Sequence, residues 1–136
     1  MRFMMMMKCK ESEAGRLPDP RLMAAIMKHG EEARKAGTLL ETGGLEATSK
    51  GARIRVAQGK ASVIDGPFAE TKELIGGFAI LKANSKEEAI EMGRAFMQLH
   101  IDVLGPAYEG EMEIRQMMDQ PESPLPTREQ ASSVRG

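Results

Sequence analysis

The first extended segment of this chain is apolar on both of its faces. Residues 2–9 alternate as a β-strand does, with Phe3, Met5 and Met7 on one face and Met4 and Met6 on the other. A strand that is apolar on both faces belongs in the interior of a sheet whose two faces are both covered. The segment is therefore predicted to be a central, buried strand.

Two segments have the periodicity of amphipathic helices. Residues 20–36 form the first, with Asp19 as its N-cap and Gly37 as its C-terminal stop. The second begins after Asn84 or Ser85, which have the side chains that cap helices. The predicted inward stripes comprise Leu22, Ile26, His29, Ala33 and Ala36 in the first helix, and Ala89, Gly93, Phe96, Met97 and His100 in the second.

Five further segments are extended: residues 38–45, 53–56, 61–64, 75–82 and 111–118. Gln58-Gly59-Lys60 joins two of them as a hairpin turn. The order strand, helix, strand, hairpin, strand, helix, strand predicts an α+β fold with two helices on one face of a mostly antiparallel sheet. Because two helices cover only one face, we expect a homodimer packed sheet to sheet.

Composition indicates an ordinary globular chain of one domain. The 136 residues are 29% charged, and the net charge is −1. Direct binding of nucleic acid is not expected, because it would require a strongly basic surface. No cofactor is expected either, since the sequence has neither a phosphate-binding loop nor a dinucleotide fingerprint.

Several features favour the cytoplasm. Cys9 is the single cysteine, so an internal disulfide is impossible, and we expect a buried or half-buried thiol without chemistry. The apolar start of the chain is too short for a signal peptide and is interrupted at Lys8, and no other stretch is long enough to span a membrane. The predicted domain covers residues 1–118. Residues 119–136, rich in Pro, Ser, Glu and Gln, are predicted to be a flexible tail.

A charged motif interrupts the middle of the chain. It begins with Asp65-Gly66-Pro67, which favours a tight turn, and three ionisable side chains, Glu70, Lys72 and Glu73, follow Pro67 within the motif. Gly76-Gly77-Phe78 opens the next strand. A loop rich in charge and held between rigid strands is a good place for a binding site.

The chain resembles the YCII-related superfamily, and specifically its DGPF branch. The resemblance depends on Asp65-Gly66-Pro67-Phe68-Ala69-Glu70-Thr71-Lys72-Glu73, Gly76-Gly77-Phe78, Ser85-Lys86-Glu87-Glu88-Ala89 and Glu113-Ile114-Arg115. It implies a ferredoxin-like domain that forms a dimeric α+β barrel. Some relatives are encoded beside sigma factors of the extracytoplasmic-function type, or are fused to them, which implies a link to sigma-factor regulation. The branch has no settled activity.

One departure from the superfamily weakens an enzymatic interpretation. The resemblance implies a histidine at the start of the first helix, as one half of a His–Asp pair. Here that region is Asp19-Pro20-Arg21-Leu22, without histidine. The pair therefore cannot be transferred to this chain.

The motif contains three candidate site residues. Asp65 is a candidate general base or anchor for a polar ligand, because burial near a cavity raises the pKa of a carboxyl group. Its alternative role is to accept hydrogen bonds from the backbone of its own turn. Glu70 and Lys72 are candidates for a pair facing a cleft, with a solvated surface ion pair as the alternative.

Two histidines lie on the inward stripes of the predicted helices. His29 is a candidate proton shuttle beside a cavity, and a core histidine bonded to the backbone is the alternative. His100 has the same two interpretations. The two histidines have no Cys or Glu at ligand spacing, so no metal site is predicted.

Charged side chains alternate with apolar ones in two strands: Arg53 and Arg55 with Ile54 and Val56, and Glu113 and Arg115 with Met112 and Ile114. If the apolar residues pack under the helices, the charged ones face the dimer cavity or its rim. Arginines in that position are suited to a small anionic molecule. Salt bridges between subunits are the alternative.

Two hypotheses for function follow. The first is a homodimeric binding or regulatory module that holds a small polar or anionic ligand, or a protein partner, at the central loop and the open sheet face. The second is an isomerase or lyase in which Asp65 and His29 move protons in a barrel cavity. A cavity that contains both residues would favour the second.

Overall fold

The computed structural model describes residues 1–68 and 74–119 of the chain. Its two helices are α1 (Pro20–Lys35) and α2 (Lys86–Leu104). Its strands are β1 (Arg2–Cys9), β2 (Leu39–Gly44), β3 (Ala52–Ala57), β4 (Lys60–Asp65), β5 (Leu74–Lys82) and β6 (Met112–Gln116). A single turn of 3-10 helix at Thr48–Lys50, which the sequence did not predict, lies between β2 and β3.

Four strands form one antiparallel sheet in the order β2-β5-β1-β6. Without the β3–β4 hairpin, the order of elements along the chain is strand, helix, strand, strand, helix, strand. This order and sheet topology are those of a ferredoxin-like fold, so the predicted fold class is confirmed. The strand β1 pairs with a neighbour on each side, as its two apolar faces predicted.

The helix boundaries follow from local side-chain chemistry. At α1, the Asp19 Oδ1 atom accepts a hydrogen bond of 2.8 Å from the Arg21 amide, and Gly37 stops the helix at a φ of +77°. At α2, the Ser85 hydroxyl accepts a bond of 3.1 Å from the Glu88 amide. Both predicted caps are confirmed, and Ser85 rather than Asn84 is the N-cap of α2.

The core lies between α2 and the centre of the sheet. Phe3 is 1% exposed and packs with Ala83 and Ala89, and Ile114 packs against this cluster. The helix approaches closely at Gly93, where an added Cβ would lie 2.9 Å from the Ile114 Cδ1 atom. These contacts show that the odd-numbered residues of β1 face the helices.

The even-numbered side of β1 belongs to the opposite face of the sheet. The register pairs Met4 with Ile80 and Met6 with Phe78, and directly opposed residues share a face. We call the face of the sheet that carries these four residues the open face, since α1 and α2 both pack on the other side.

The hairpin does not join the main sheet, and this corrects one expectation. Ile54 and Val56 are 70% and 74% exposed, which shows that they do not pack under the helices. The strands β3 and β4 pair only with each other among the described strands. The predicted turn itself is confirmed, with positive φ at both Gln58 and Gly59.

The described residues test two predictions about the whole chain only in part. The predicted tail of residues 119–136 lies, apart from Asp119, outside the described residues. Within residues 1–68 and 74–119, neither helix combines the length and the apolar character needed to cross a bilayer.

Candidate functional site

A cleft lies between the two helices and the sheet. Its volume is about 1620 Å³, larger than the usual range for small-molecule pockets, and it opens to solvent. We define the cleft by its principal lining side chains, which are Met5, Met7, Cys9, Glu13, Met23, Ile26, His29, Met92, Ala95, Phe96, His100, Tyr108 and Met112.

A ladder of rings crosses the cleft from helix to helix. The ring centroids of His29 and Phe96 are 6.1 Å apart, and those of Phe96 and His100 are 5.1 Å apart in an edge-to-face arrangement. Tyr108 then stacks on His100 at 5.1 Å. Because α1, α2 and the segment after α2 each contribute to the ladder, the ladder ties together three separate parts of the chain.

His100 is the buried member of this ladder, with 6% exposure. Its Nδ1 atom lies 3.1 Å from the Phe96 carbonyl oxygen. Since a carbonyl oxygen only accepts, Nδ1 is the donor, and in a neutral ring Nε2 is left as an acceptor. The predicted core histidine bonded to the backbone is therefore found at His100. The contact that the structure gives for His29 is with the Phe96 ring.

Titratable groups gather at one end of the cleft. Burial raises the pKa of the Tyr108 phenol, and the Glu13 carboxylate raises it further. Burial also raises the pKa of the Cys9 thiol, with the carboxylates of Glu13 and Glu11 adding to the effect. The structure thus supports Cys9 as a half-buried, protonated thiol rather than a nucleophile. Among the described residues, no cluster of three or more His, Cys, Asp or Glu side chains is arranged to hold a metal ion.

Glu13 and Tyr108 were not predicted from the sequence as site residues. Glu13 lies in the loop after β1, and Tyr108 follows the Gly105-Pro106 break after α2. The one available signal was composition, because Tyr108 is the single tyrosine of a chain with few aromatic residues. Nothing local indicated that these two residues meet.

The described start of the motif, residues 65–68, does not line the cleft. Asp65 is the last residue of β4, is exposed, and does not line the cleft. The next residue, Gly66, packs directly on the 3-10 turn, where an added Cβ would overlap the Thr48 carbonyl oxygen. Its amide donates a bond of 3.0 Å to the Gly51 carbonyl. Only glycine fits at this approach.

Phe68 also bonds to the 3-10 turn, and we call the contacts that Gly66 and Phe68 make with this turn the anchor. The Phe68 amide donates a bond of 3.1 Å to the Thr48 hydroxyl, and that hydroxyl donates to the Glu11 carboxylate in the loop after β1. The Arg53 guanidinium carbon lies 3.9 Å from the centroid of the Phe68 ring, a cation–π geometry. The start of the motif therefore connects the hairpin, the 3-10 turn and the loop after β1.

The remaining site candidates are dispersed. Arg55 is exposed on the hairpin and shares a face with Arg53, whereas Glu70 and Lys72 lie outside the described residues. Arg115 is exposed on β6, opposite Met4 in the register and thus on the open face. The structure therefore does not bring the described candidates into one site.

On the open face, three charges form a chain. The Lys8 ammonium lies 3.3 Å from the Glu113 carboxylate, which also accepts from Arg115. Hydrogen bonds from Lys8 and then from Arg115 lower the pKa of the Glu113 carboxyl. The predicted shared face of Glu113 and Arg115 is confirmed, and within this chain the pair is an internal ion pair.

Fold and cleft together define a ferredoxin-like α+β protein, with a hairpin inserted between the second and third strands of its sheet. The chain belongs to the YCII-related domain family, whose model matches residues 1–100. It is 36% identical over 72 residues to an uncharacterized protein of Rhizobium meliloti (strain 1021). That alignment covers 53% of this chain and 56% of the relative, so the chain matches about half the length of its relative. The family match agrees with the resemblance carried by the central motif.

Proposed function

We propose that this protein is a homodimeric module of the DGPF branch that binds a small molecule in the cleft between its helices and sheet. The observation that carries the proposal is the cleft itself, whose lining combines apolar side chains with polar groups that include Glu13, His100 and Tyr108. This composition is typical of ligand sites, where apolar contact supplies affinity and a few polar groups fix the orientation. The link to sigma factors stays a prediction from the resemblance.

The open face supports the dimer. Its centre consists of Met4, Met6, Phe78 and Ile80, and three of these remain half-buried in the single chain. Charged side chains, including those of Glu113 and Arg115, lie on the same face towards one edge. An apolar centre with a polar rim is the usual anatomy of a protein interface. A second copy placed sheet to sheet would cover it.

The position of the proposed ligand differs from the sequence-based hypothesis. That hypothesis placed the ligand at the central loop and the open face, with Arg53, Arg55 and Arg115 among its contacts. The cleft lies on the opposite side of the sheet and contains His29 but none of those arginines. We therefore assign the open face to the dimer and the cleft to the ligand.

The enzymatic alternative does not gain support from this arrangement. It required Asp65 and His29 in one cavity, and Asp65 is exposed at the end of β4, outside the lining of the cleft. The binding module is accordingly the function that we propose.

The dimer is tested by placing a carboxylate at the centre of the open face. We expect the wild type to have the mass of a dimer in light scattering at micromolar concentration, and Ile80→Asp, at a position of the open face that does not line the cleft, to have the mass of a monomer, because an unpaired buried charge costs several kcal/mol. Ile101→Asp is the matched control, since Ile101 is 42% exposed on α2, which packs on the other face of the sheet. A monomeric wild type, or an Ile80→Asp variant that stays dimeric with a native circular dichroism spectrum, would contradict the proposal.

The ligand site is tested by filling the cleft. Ala95 lines it from α2 and is exposed, so Ala95→Trp adds a ring to the cleft without disturbing the core. We expect Nile red, a neutral apolar fluorophore, to bind the wild type and to bind this variant about tenfold more weakly, a loss of roughly 1.4 kcal/mol. Ala24→Trp, on an exposed position of α1 that does not line the cleft, should bind as the wild type does. Equal Nile red binding by Ala95→Trp and Ala24→Trp would show that the dye binds outside the cleft.

A further inference from the structure

The polar end of the cleft has a defined composition. Cys9 reaches it from the end of β1, Glu13 from the following loop, His100 from α2, and Tyr108 from the segment after α2. Each of the four lines the cleft, and His100 and Tyr108 are held in place by ring stacking. The end is thus built from side chains of four parts of the chain.

The electrostatics of this end disfavour anions. The interactions with charged groups that shift the pKa values of Tyr108 and Cys9 come from carboxylates, Glu13 for both and Glu11 for Cys9. Basic side chains also line the cleft, but none of them lowers the pKa of Tyr108 or of Cys9. Acceptors belong to this end as well, since Glu13 and His100 both line the cleft, and a neutral His100 ring that donates from Nδ1 has an acceptor at Nε2. A ligand that donates a hydrogen bond is complementary to such a set.

The walls of the cleft favour a flat ring system. Methionine side chains form much of the apolar lining: Met5, Met7, Met23, Met27, Met92 and Met112. Thioethers adapt to the shape of a ligand and make favourable contacts with aromatic edges. The ring ladder of Phe96, His100 and Tyr108 adds surfaces for stacking and for edge-to-face contact.

We infer that the cleft selects a flat aromatic molecule that carries an N–H or O–H donor and no negative charge, with the donor placed at the Glu13, His100 and Tyr108 end. This inference rests on the proposed binding function of the cleft and replaces the anionic ligand that the arginines had suggested. The donor satisfies the acceptors of that end, while a carboxylate, sulfonate or phosphate group would lie against Glu13.

The inference is tested with two probes that share one skeleton. N-phenyl-1-naphthylamine is neutral and has a single N–H donor, and 8-anilinonaphthalene-1-sulfonate is the same molecule with a sulfonate added. We expect the neutral probe to bind about tenfold more tightly at moderate salt, which corresponds to about 1.4 kcal/mol of repulsion between partly screened charges. Glu13→Gln should reduce this preference to about threefold or less by strengthening sulfonate binding, since a glutamine oxygen still accepts the bond that the Lys10 amide donates to Glu13.

Glu87→Gln is the matched control for charge, because Glu87 is exposed in the first turn of α2 and does not line the cleft. It should leave the preference unchanged. Sulfonate binding as tight as that of the neutral probe, or a preference that Glu13→Gln does not alter, would overturn the inference while leaving the cleft as a binding site. Failure of both probes to bind, or binding of both that Ala95→Trp does not weaken, would instead overturn the proposed function itself.

Discussion

Gly66→Ala is expected to destabilise the protein by about 2–3 kcal/mol, the upper part of the range seen when a side chain is forced into a filled space. The added Cβ would overlap the Thr48 carbonyl oxygen, which belongs to backbone and cannot rotate away. Relieving the overlap requires the 3-10 turn to separate from the motif. The bond between the Gly66 amide and the Gly51 carbonyl, and the bond between the Phe68 amide and the Thr48 hydroxyl, would then lengthen or break. Urea unfolding followed by circular dichroism measures the loss.

The matched control is Gly51→Ala, on the other side of the same carbonyl group. Gly51 has an extended backbone with a φ of −128°, and a Cβ there would lie 3.6 Å from the Thr48 carbonyl oxygen, an ordinary contact. We expect this variant to be within about 0.5 kcal/mol of the wild type. Equal effects of the two substitutions would show that the close approach at Gly66 does not hold the motif in place.

The close approach at Gly66 indicates a structural role for the start of the central motif. The described part of the motif, Asp65 to Phe68, is engaged in holding the hairpin against the 3-10 turn and the loop after β1. Thr48 is the hub of this anchor, because it contacts Gly66, Phe68 and Glu11. A motif with this role need not line a binding site. Through Glu11 and the loop that contains Glu13, the anchor supports one end of the cleft.

The secondary structure could be predicted from the sequence because its signals are local. The two-sided apolar character of β1, the caps at Asp19 and Ser85 and the glycine stop at Gly37 each depend on residues a few positions apart. The α+β arrangement with both helices on one face of the sheet then follows, because elements in this order have few ways to bury their apolar faces. The ferredoxin-like fold was implied by the family resemblance.

The position of the hairpin could not be predicted in the same way. The alternation of Arg53, Ile54, Arg55 and Val56 correctly predicts a strand with an apolar side, but it does not say what covers that side. Pairing with a partner strand depends on long-range geometry, and here β3 pairs only with β4. The same alternation in β6 does place Ile114 against α2, because that strand pairs with β1.

The cleft was beyond prediction for a related reason. Its polar end joins positions that are about ninety or more residues apart, from Cys9 and Glu13 to His100 and Tyr108. Such a cluster has no spacing rule, since it is created by tertiary packing of β1 against α2. His29 and His100 could be recognised as inward-facing because the helical period predicts the side of a helix. The residues that each histidine contacts could not be predicted from this period.

Phe3→Ala is expected to have the largest effect on stability, a loss of about 3–5 kcal/mol. Phe3 is 1% exposed and is the largest side chain that the described structure buries completely. The chain has four phenylalanines and no tryptophan, so few other rings are available to fill the space that is lost. Since domains of this size have only about 5–15 kcal/mol of total stability, the variant should unfold at a temperature lower by roughly 10–20 °C.

Phe3→Leu separates loss of volume from loss of the ring. It keeps an apolar side chain of similar reach and should cost about 1–1.5 kcal/mol, whereas Met118→Ala, at a residue that is 90% exposed, should cost almost nothing. Unfolding must be compared at one protein concentration, because the proposed dimer would stabilise the folded state by mass action. If Phe3→Ala were no less stable than Phe3→Leu, the packing of β1 against α2 would not be the main source of stability. The cleft that depends on this packing would then lack its rigid support.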